Sequence, residues 1–392
     1  MSERVLVGMS GGVDSSVAAA LLKESGYDVV GAYMKNWTVD VPGSHCAWAD
    51  DLAYAKRTAV RLDIDFRVYD FQDAYKRDVV DYMVAEYRAG RTPNPDTMCN
   101  QDVKFGMFLD TAEAEGFDFI ATGHYAATEW NGVADKGLLN ALVASGEADA
   151  PRAVQLIEGS TEPEPRGSNG APHRHRHLLR AADAHKDQTY FLYRMTQRAV
   201  DRTLFPLGGL TKPQVRTMAE ARNLPSADKP DSQGICFVGE AGIREFLRMY
   251  VNLQPGEIKD AVSGDVLGYH DGAIFFTIGQ RKGLSIGGGK PHFVVGKDMD
   301  RNEVYVSDDP AVLKRGTREL RLERCSWVSG KPPMAGAYEV RTRHTGALCR
   351  AELHAEGEAA TLTFAEDHER VAPGQSAVVY DGAICLGGGI VA

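Results

Sequence analysis

Short β-branched runs alternate with helix-length amphipathic stretches through the first 125 residues, and few folds accommodate that rhythm. Val5 to Val7, Val29 to Met34, Phe66 to Tyr69 and Phe119 to Thr122 have the character of strands. Between them, Val13 to Lys23, Ala47 to Leu62, Asp73 to Arg88 and Phe105 to Glu115 have that of helices. The alternation predicts an α/β fold, a doubly wound parallel sheet with helices on both faces. In such sheets ligands sit beyond the C-terminal ends of the strands.

From about Asn131 to His177 the pattern dissolves into small, acidic, Pro- and Gly-containing sequence, read as an insertion of low complexity. It closes on His173, His175 and His177, a solvated charged edge rather than a metal site, since no carboxylate or cysteine stands beside them. Helical pattern resumes over Asp187 to Ala199, Lys212 to Arg222 and Gly242 to Tyr250. The last hundred residues show short strands, such as Phe293 to Gly296, Val304 to Ser307 and Ser376 to Tyr380, separated by turn residues. The expected organisation is a catalytic domain over 1–240, a small central domain over 241–290 and a C-terminal antiparallel β-barrel over 291–392.

The 392 residues suffice for several cores, and no apolar run reaches the eighteen residues a membrane helix needs. The start lacks the basic, apolar and small-residue regions of a signal peptide, so a cytoplasmic protein is expected. Six scattered cysteines without a Cys-x-x-Cys pair read as free thiols, with no zinc ribbon or cysteine-held cluster. The net charge of −10 conceals an asymmetry. Residues 1–130 hold 12 Lys and Arg against 21 Asp and Glu, whereas residues 281–350 hold 14 against 8. An acidic body with a basic distal surface suits one docked polyanion.

Between the first strand and first helix lies Gly8-Met9-Ser10-Gly11-Gly12-Val13-Asp14-Ser15-Ser16. Its glycines let backbone approach an anion, its serines offer hydroxyls, and the following helix presents unpaired N–H groups. Asp14 is placed to help hold a magnesium ion. Neither the Walker nor the dinucleotide pattern is present. The string resembles the PP-loop of ATP pyrophosphatases, which implies an adenine nucleotide alpha hydrolase-like fold and cleavage of ATP to AMP and pyrophosphate.

Cys99 stands in the Pro- and Asn-rich turn Thr92 to Asn100, just ahead of a helical stretch, and Cys236 lies 137 residues further on, beside Gly234. A thiol near a helix N-terminus gains thiolate character. Cys349 and Cys385 lie in apparent strands and Cys325 near one, while Cys46, next to His45, remains a second candidate for reactivity.

Lys35-Asn36-Trp37, Asn94-Pro95-Asp96 to Cys99-Asn100, Ala121-Thr122-Gly123-His124-Tyr125, Lys186-Asp187-Gln188-Thr189, Gly234-Ile235-Cys236-Phe237, Gly279-Gln280-Arg281-Lys282-Gly283 and Pro373-Gly374-Gln375 follow the phosphate loop in order. Together these strings resemble the bacterial tRNA-specific 2-thiouridylases from residue 4 to residue 390, the insertion apart. The resemblance implies ATP- and Mg²⁺-dependent adenylation of the C2 oxygen of the wobble uridine in the tRNAs for Lys, Glu and Gln. Sulfur from a protein persulfide then replaces that oxygen. A cysteine desulfurase or a sulfur-relay protein is the implied donor.

By the same resemblance, Gly8, Met9, Ser10, Gly11, Gly12, Val13, Asp14 and Ser15 bind ATP, with Met34 and Gly123 beside the adenosine. Asn94, Pro95 and Asp96 meet the flipped-out base. His124, Lys186, Asp187, Gln188, Arg343, His344 and Gln375 contact the tRNA. Cys236 carries the persulfide, and Cys99 is the nucleophile that resolves it, with a transient Cys99–Cys236 disulfide. The chain departs from the family at Ala126-Ala127-Thr128, where basic residues are usual, and at His344, where Tyr is usual. The alternatives are another PP-loop adenylating ligase or amidotransferase, and a non-catalytic RNA-binding relative.

Overall fold

The computed structural model describes residues 2–41, 46–130, 133–134, 176–231, 242–251, 253–284, 286–287, 290–313 and 318–392. Cys236, His173, His175 and most of the 131–177 segment lie outside them.

The first sheet is built from β1 (Arg4–Gly8), β2 (Asp28–Lys35), β3 (Asp65–Asp70) and β4 (Phe119–Thr122), all parallel, in the order β3-β2-β1-β4. The short strand Thr203–Leu204 pairs parallel to β4 and completes it. Side chains alternate across it as a strand requires. Val5, Val7, Val29 and Tyr33 pack with Ala19 and Leu22 of α1 (Val13–Glu24) and Ala55 of α2 (Trp48–Leu62). Leu6, Val30, Ala32 and Ile120 face the opposite core, with Tyr75, Val79, Phe108 and Leu109. Both faces are covered, so the sheet is doubly wound as expected.

Two long helices fill that second face, and each changes its winding midway. The first runs from Gln72–Tyr75 through a π-type stretch, Lys76–Val80, into Asp81–Arg88 (together α3). The second runs from Pro95–Met98 through Cys99–Met107, again π-type, into Phe108–Ala114 (together α4). The sequence pattern placed the start of the second helix near Phe105. It begins ten residues earlier because Asn94 caps it, accepting from Asp96 N at 3.2 Å, with Pro95 at the first helical position. The single helix expected over Asp187 to Ala199 is two short ones, Thr189–Leu192 and Gln197–Asp201. Thr196 restarts the second by accepting from Ala199 N at 3.2 Å.

The expected insertion is trimmed at both ends. Strand Ala127–Trp130 pairs antiparallel with Val133–Ala134 and with Arg176–Leu179, and the last touches the barrel through Leu179 and Ile384.

The strands around Phe293 and Val304 also belong elsewhere than expected. Phe293–Asp298 and Glu303–Ser307 join Gly256–Asp260 and Val266–His270 in a separate four-stranded sheet. Glu303–Ser307 pairs parallel to Gly256–Asp260, and the core is Ile258, Phe276, Val294, Val304 and Val306. The central unit therefore extends past Ser307 rather than ending at 290. Six strands remain for the barrel: Glu319–Trp327, Gly336–Arg341, Cys349–Glu356, Ala359–Phe364, Ser376–Asp381 and Ile384–Val391. All pair antiparallel, and the ring closes between the first and the last.

A candidate nucleotide and thiol site

The turn from β1 to α1 is a cradle that only glycine permits. Gly11 has φ +76°, and a Cβ there would fall 2.2 Å from Asp51 O; a Cβ on Gly123, at the end of β4, would fall 2.5 Å from Ser15 N. Ser10 N donates to Ser15 Oγ at 3.1 Å, and Gly12 N to Ser10 Oγ at 3.4 Å, which curls the loop. From behind, Ser16 Oγ donates to Gly12 O and Ser226 Oγ to Ser16 Oγ, both at 2.8 Å. Gly12 offers no side-chain cap, so the first-turn N–H groups of α1 remain for an anion.

Cations drawn from the distant helix α5 (Lys212–Ala221) and the segment after it converge on this loop. Lys212 Nζ lies 2.7 Å from Asp14 Oδ1 and 2.9 Å from Asp231 Oδ1, and Tyr125 Oη donates to Asp14 Oδ1 at 3.0 Å. Lys186 and Arg216 also bind Asp231, at 2.9 and 2.7 Å. Burial opposes ionisation of Asp231, yet hydrogen bonds from Lys212 and Lys186 hold its carboxyl down to about 2. Burial, then the Asp14 charge, keeps the Tyr125 phenol protonated far above its usual range. Lys229 reaches Gly11 O at 3.3 Å and pairs with Asp51. The sequence-based reading gives no site role to Lys212, Lys229, Asp51, Tyr125 or Asp231. No local pattern links them, and only the fold brings positions 14, 51, 125, 212, 229 and 231 together.

Gly123 and His124 connect the cradle to the thiol. His124 Nδ1 is 2.8 Å from Thr122 Oγ1, and its ring lies 5.7 Å from that of Phe105 in α4. Burial and then the nearby Lys104 push the imidazole well below its ordinary pKa, so it is neutral. Lys104 Nζ donates to Asn100 Oδ1 at 3.0 Å, and Asn100 Nδ2 to Phe191 O at 3.0 Å. Burial raises the Asp96 carboxyl, an effect that Lys104 and His344 offset in part. Cys99 is 3% exposed, one turn inside α4 rather than ahead of it. Cys46 turns its thiol toward Trp37 O at 3.7 Å, and burial raises its pKa, which lowers its thiolate character. Cys325 and Cys385 are likewise pushed up by burial.

The positions read as RNA contacts divide by burial. Lys186, Arg343 and His344 retain exposed surface; Arg343 pairs loosely with Glu369 at 3.3 Å, and His344 packs its ring 4.5 Å from that of Phe191. Asp187 is 1% exposed and turns inward. It accepts from Arg341 Nη1 at 2.9 Å and Thr189 Oγ1 at 2.8 Å, while its carbonyl bonds His344 Nε2 at 2.9 Å. Gln188 is committed to the backbone of Tyr125, accepting at 2.8 Å. Gln375 Nε2 donates to Thr92 O at 2.6 Å.

A doubly wound parallel sheet whose first strand-to-helix turn is a Gly- and Ser-rich anion cradle defines a nucleotide-binding domain of the PP-loop class. Three family models match the chain in succession. They are the tRNA methyl transferase HUP domain over residues 3–146 and 166–240, the tRNA methyl transferase PRC-barrel domain over 244–308, and the aminomethyltransferase beta-barrel domain over 317–391. The chain is 43% identical to the tRNA-specific 2-thiouridylase MnmA of Nitrosomonas eutropha, across 99% of this chain and 98% of that protein. The MnmA proteins of Cupriavidus metallidurans and Neisseria meningitidis are each 43% identical, across 99% of this chain and 99% and 95% of theirs. The chain belongs to the tRNA-specific 2-thiouridylase family.

Proposed function

We propose that the protein is a cytoplasmic sulfurtransferase that converts the wobble uridine of the tRNAs for Lys, Glu and Gln to 2-thiouridine. The observation that supports this most is the continuity between the phosphate cradle and the thiol-bearing helix, through Ser15, Gly123, His124 and Phe105. A nucleotide held in the cradle lies beyond the C-terminal strand ends, where ligands of such sheets sit, and the base is presented to it from Asn94 to Asp96.

The cradle fits ATP. The first-turn N–H groups of α1 and Lys212 hold its phosphates against the loop Gly8 to Ser15, with Met34 and Gly123 beside the adenosine, and Asp14 supplies the carboxylate for an accompanying Mg²⁺. Bound ATP supplies an adenylyl group that turns the C2 oxygen of uridine into a good leaving group. The uridine is flipped out, because a stacked base hides C2. Asn94 and Asp96 hydrogen-bond its edge, while neutral His124 contributes no charge against the cations that face the phosphates.

Sulfur is delivered on Cys236 as a persulfide loaded by a cysteine desulfurase or relay protein. The outer sulfur attacks C2, and AMP leaves with the former C2 oxygen. Cys99 attacks the inner sulfur, which frees the thiouridine and leaves a Cys99–Cys236 disulfide for an external thiol to reduce. Release of sulfide by Cys99 before its attack on C2 gives the same products. The basic faces at Lys186 and Arg343 take tRNA phosphates.

The family-model descriptions speak of methyl transfer, but a methyl donor has no pyrophosphate to occupy the cradle. Pyrophosphate release distinguishes the readings. It is expected with ATP and a tRNA carrying uridine at the wobble position, and not with cytidine there. Release without any tRNA would favour a ligase or amidotransferase, and no release would favour a binding protein.

A further inference from the structure

The barrel grips the helix of Cys99 on both sides of the thiol. Ahead of it, Thr92 N donates to Pro373 O at 2.8 Å, and Gln375 returns the bond to Thr92 O. Gly374 (φ +91°) lets that loop close in, since a Cβ there would fall 2.9 Å from Thr92 N. Beyond the thiol, Arg194 spans the two units, with Nε donating to Gln101 Oε1 and Nη1 to Arg324 O at 2.7 Å.

Arg324 is unusual for this task. It is a non-glycine residue at φ +49°, within the register irregularity between Glu323 and Ser326. Left-handed backbone is disfavoured for such a residue and persists where surrounding contacts demand it. Here the carbonyl meets Arg194, while the guanidinium lies 3.6 Å from buried Glu86 and 5.6 Å over Tyr82. Glu86 also accepts from Arg91 Nη2 at 2.6 Å, next to Thr92, which closes the circuit.

We infer that Arg194 is a positioning residue for Cys99, fixing the thiol's helix against the barrel so that the distal domain completes the sulfur-transfer site. This rests on reading Cys99 as a reacting thiol. A reacting thiol must be held where its partner sulfur comes within bonding reach, and a misplacement of about 1 Å costs about 100-fold in rate. Gln101 lies two residues past the thiol on the same helix, so freeing it loosens the turn that carries Cys99.

The test is iodoacetamide alkylation of the full-length protein, read by peptide mass spectrometry at Cys99 and Cys385, which are 3% and 1% exposed. Arg194→Met and Gln101→Leu remove the same bond from opposite sides. Each is expected to speed alkylation of Cys99 about tenfold through local opening, with Cys385 unchanged. Arg194→Lys restores part of the protection. The thiolation kcat falls in step while KM for tRNA holds. Equal acceleration at both cysteines, or at neither, overturns the inference, as does a freed Cys99 with undiminished kcat. Full thiolation by Cys99→Ser would instead remove the functional reading itself, whatever the alkylation pattern.

Discussion

Lys212 Nζ and Asp14 Oδ1 lie 2.7 Å apart, although 198 residues separate them in the chain. Lys212 is nearly buried, and it holds a positive charge over the anion cradle that the loop's own sequence lacks. A preorganised cation facing developing phosphate charge acts much as an oxyanion-hole donor does. Lys212→Met is therefore expected to slow pyrophosphate release about 100-fold. Lys212→Arg retains part of the rate, because the charge survives but the geometry changes. Single-turnover pyrophosphate release with tRNA in excess reads this step alone.

Gly123→Ala tests the closeness of β4 to the loop. Its Cβ would fall 2.5 Å from Ser15 N, against backbone that has no flexible end to yield. Overpacking of this kind destabilises by about 1–3 kcal/mol, and here it also displaces the first turn of α1. Gly209, with nothing within 4 Å, is the control position, so Gly209→Ala is expected to be neutral in urea denaturation and in activity.

Asp231 sets an acid limb. Its folded pKa, about 2, lies below the ordinary 3.8, so it adds stability above the unfolded value and loses it as pH falls toward the folded one. Between those two values the unfolded state binds more protons. Asp231→Asn is expected to flatten this limb in thermal melts, with little change in its slope near neutral pH.

Asp187 and Arg341 form an ion pair whose side chains are 0% and 6% exposed. Asp187→Ala strands a buried guanidinium and is expected to cost about 3–5 kcal/mol of stability. Its effect on tRNA affinity should follow only from displacement of His344, whose ring nitrogen is held by the Asp187 carbonyl. Chemical denaturation beside filter binding separates the two.

Asp187 also shows where sequence reasoning ends. A family string marks the residue without saying which way it faces, and here one carboxylate oxygen meets Arg341 of the barrel while the other accepts from Thr189 and Ala181 in its own segment. The N-terminal sheet was legible because Val5, Leu6 and Val7 serve two cores by simple alternation. The boundary near residue 290 was misplaced because short strands between turn residues look alike whichever sheet they join. Only the parallel register of Val304 against Ile258 assigns that segment to the central unit. The glycine loop was readable as a contiguous string, whereas Lys212, Tyr125 and Asp231 reach it from three distant segments. Cys236 lies outside the described residues, so its role rests on the family resemblance.

The most direct measurement is nucleoside mass spectrometry of unmodified tRNA incubated with the protein, ATP, Mg²⁺, a cysteine desulfurase and cysteine. Wild type should yield 2-thiouridine only when ATP is present, and Cys99→Ser and Cys236→Ser should each abolish it while pyrophosphate release continues. Undiminished 2-thiouridine from either serine variant, or its formation without ATP, would contradict the account.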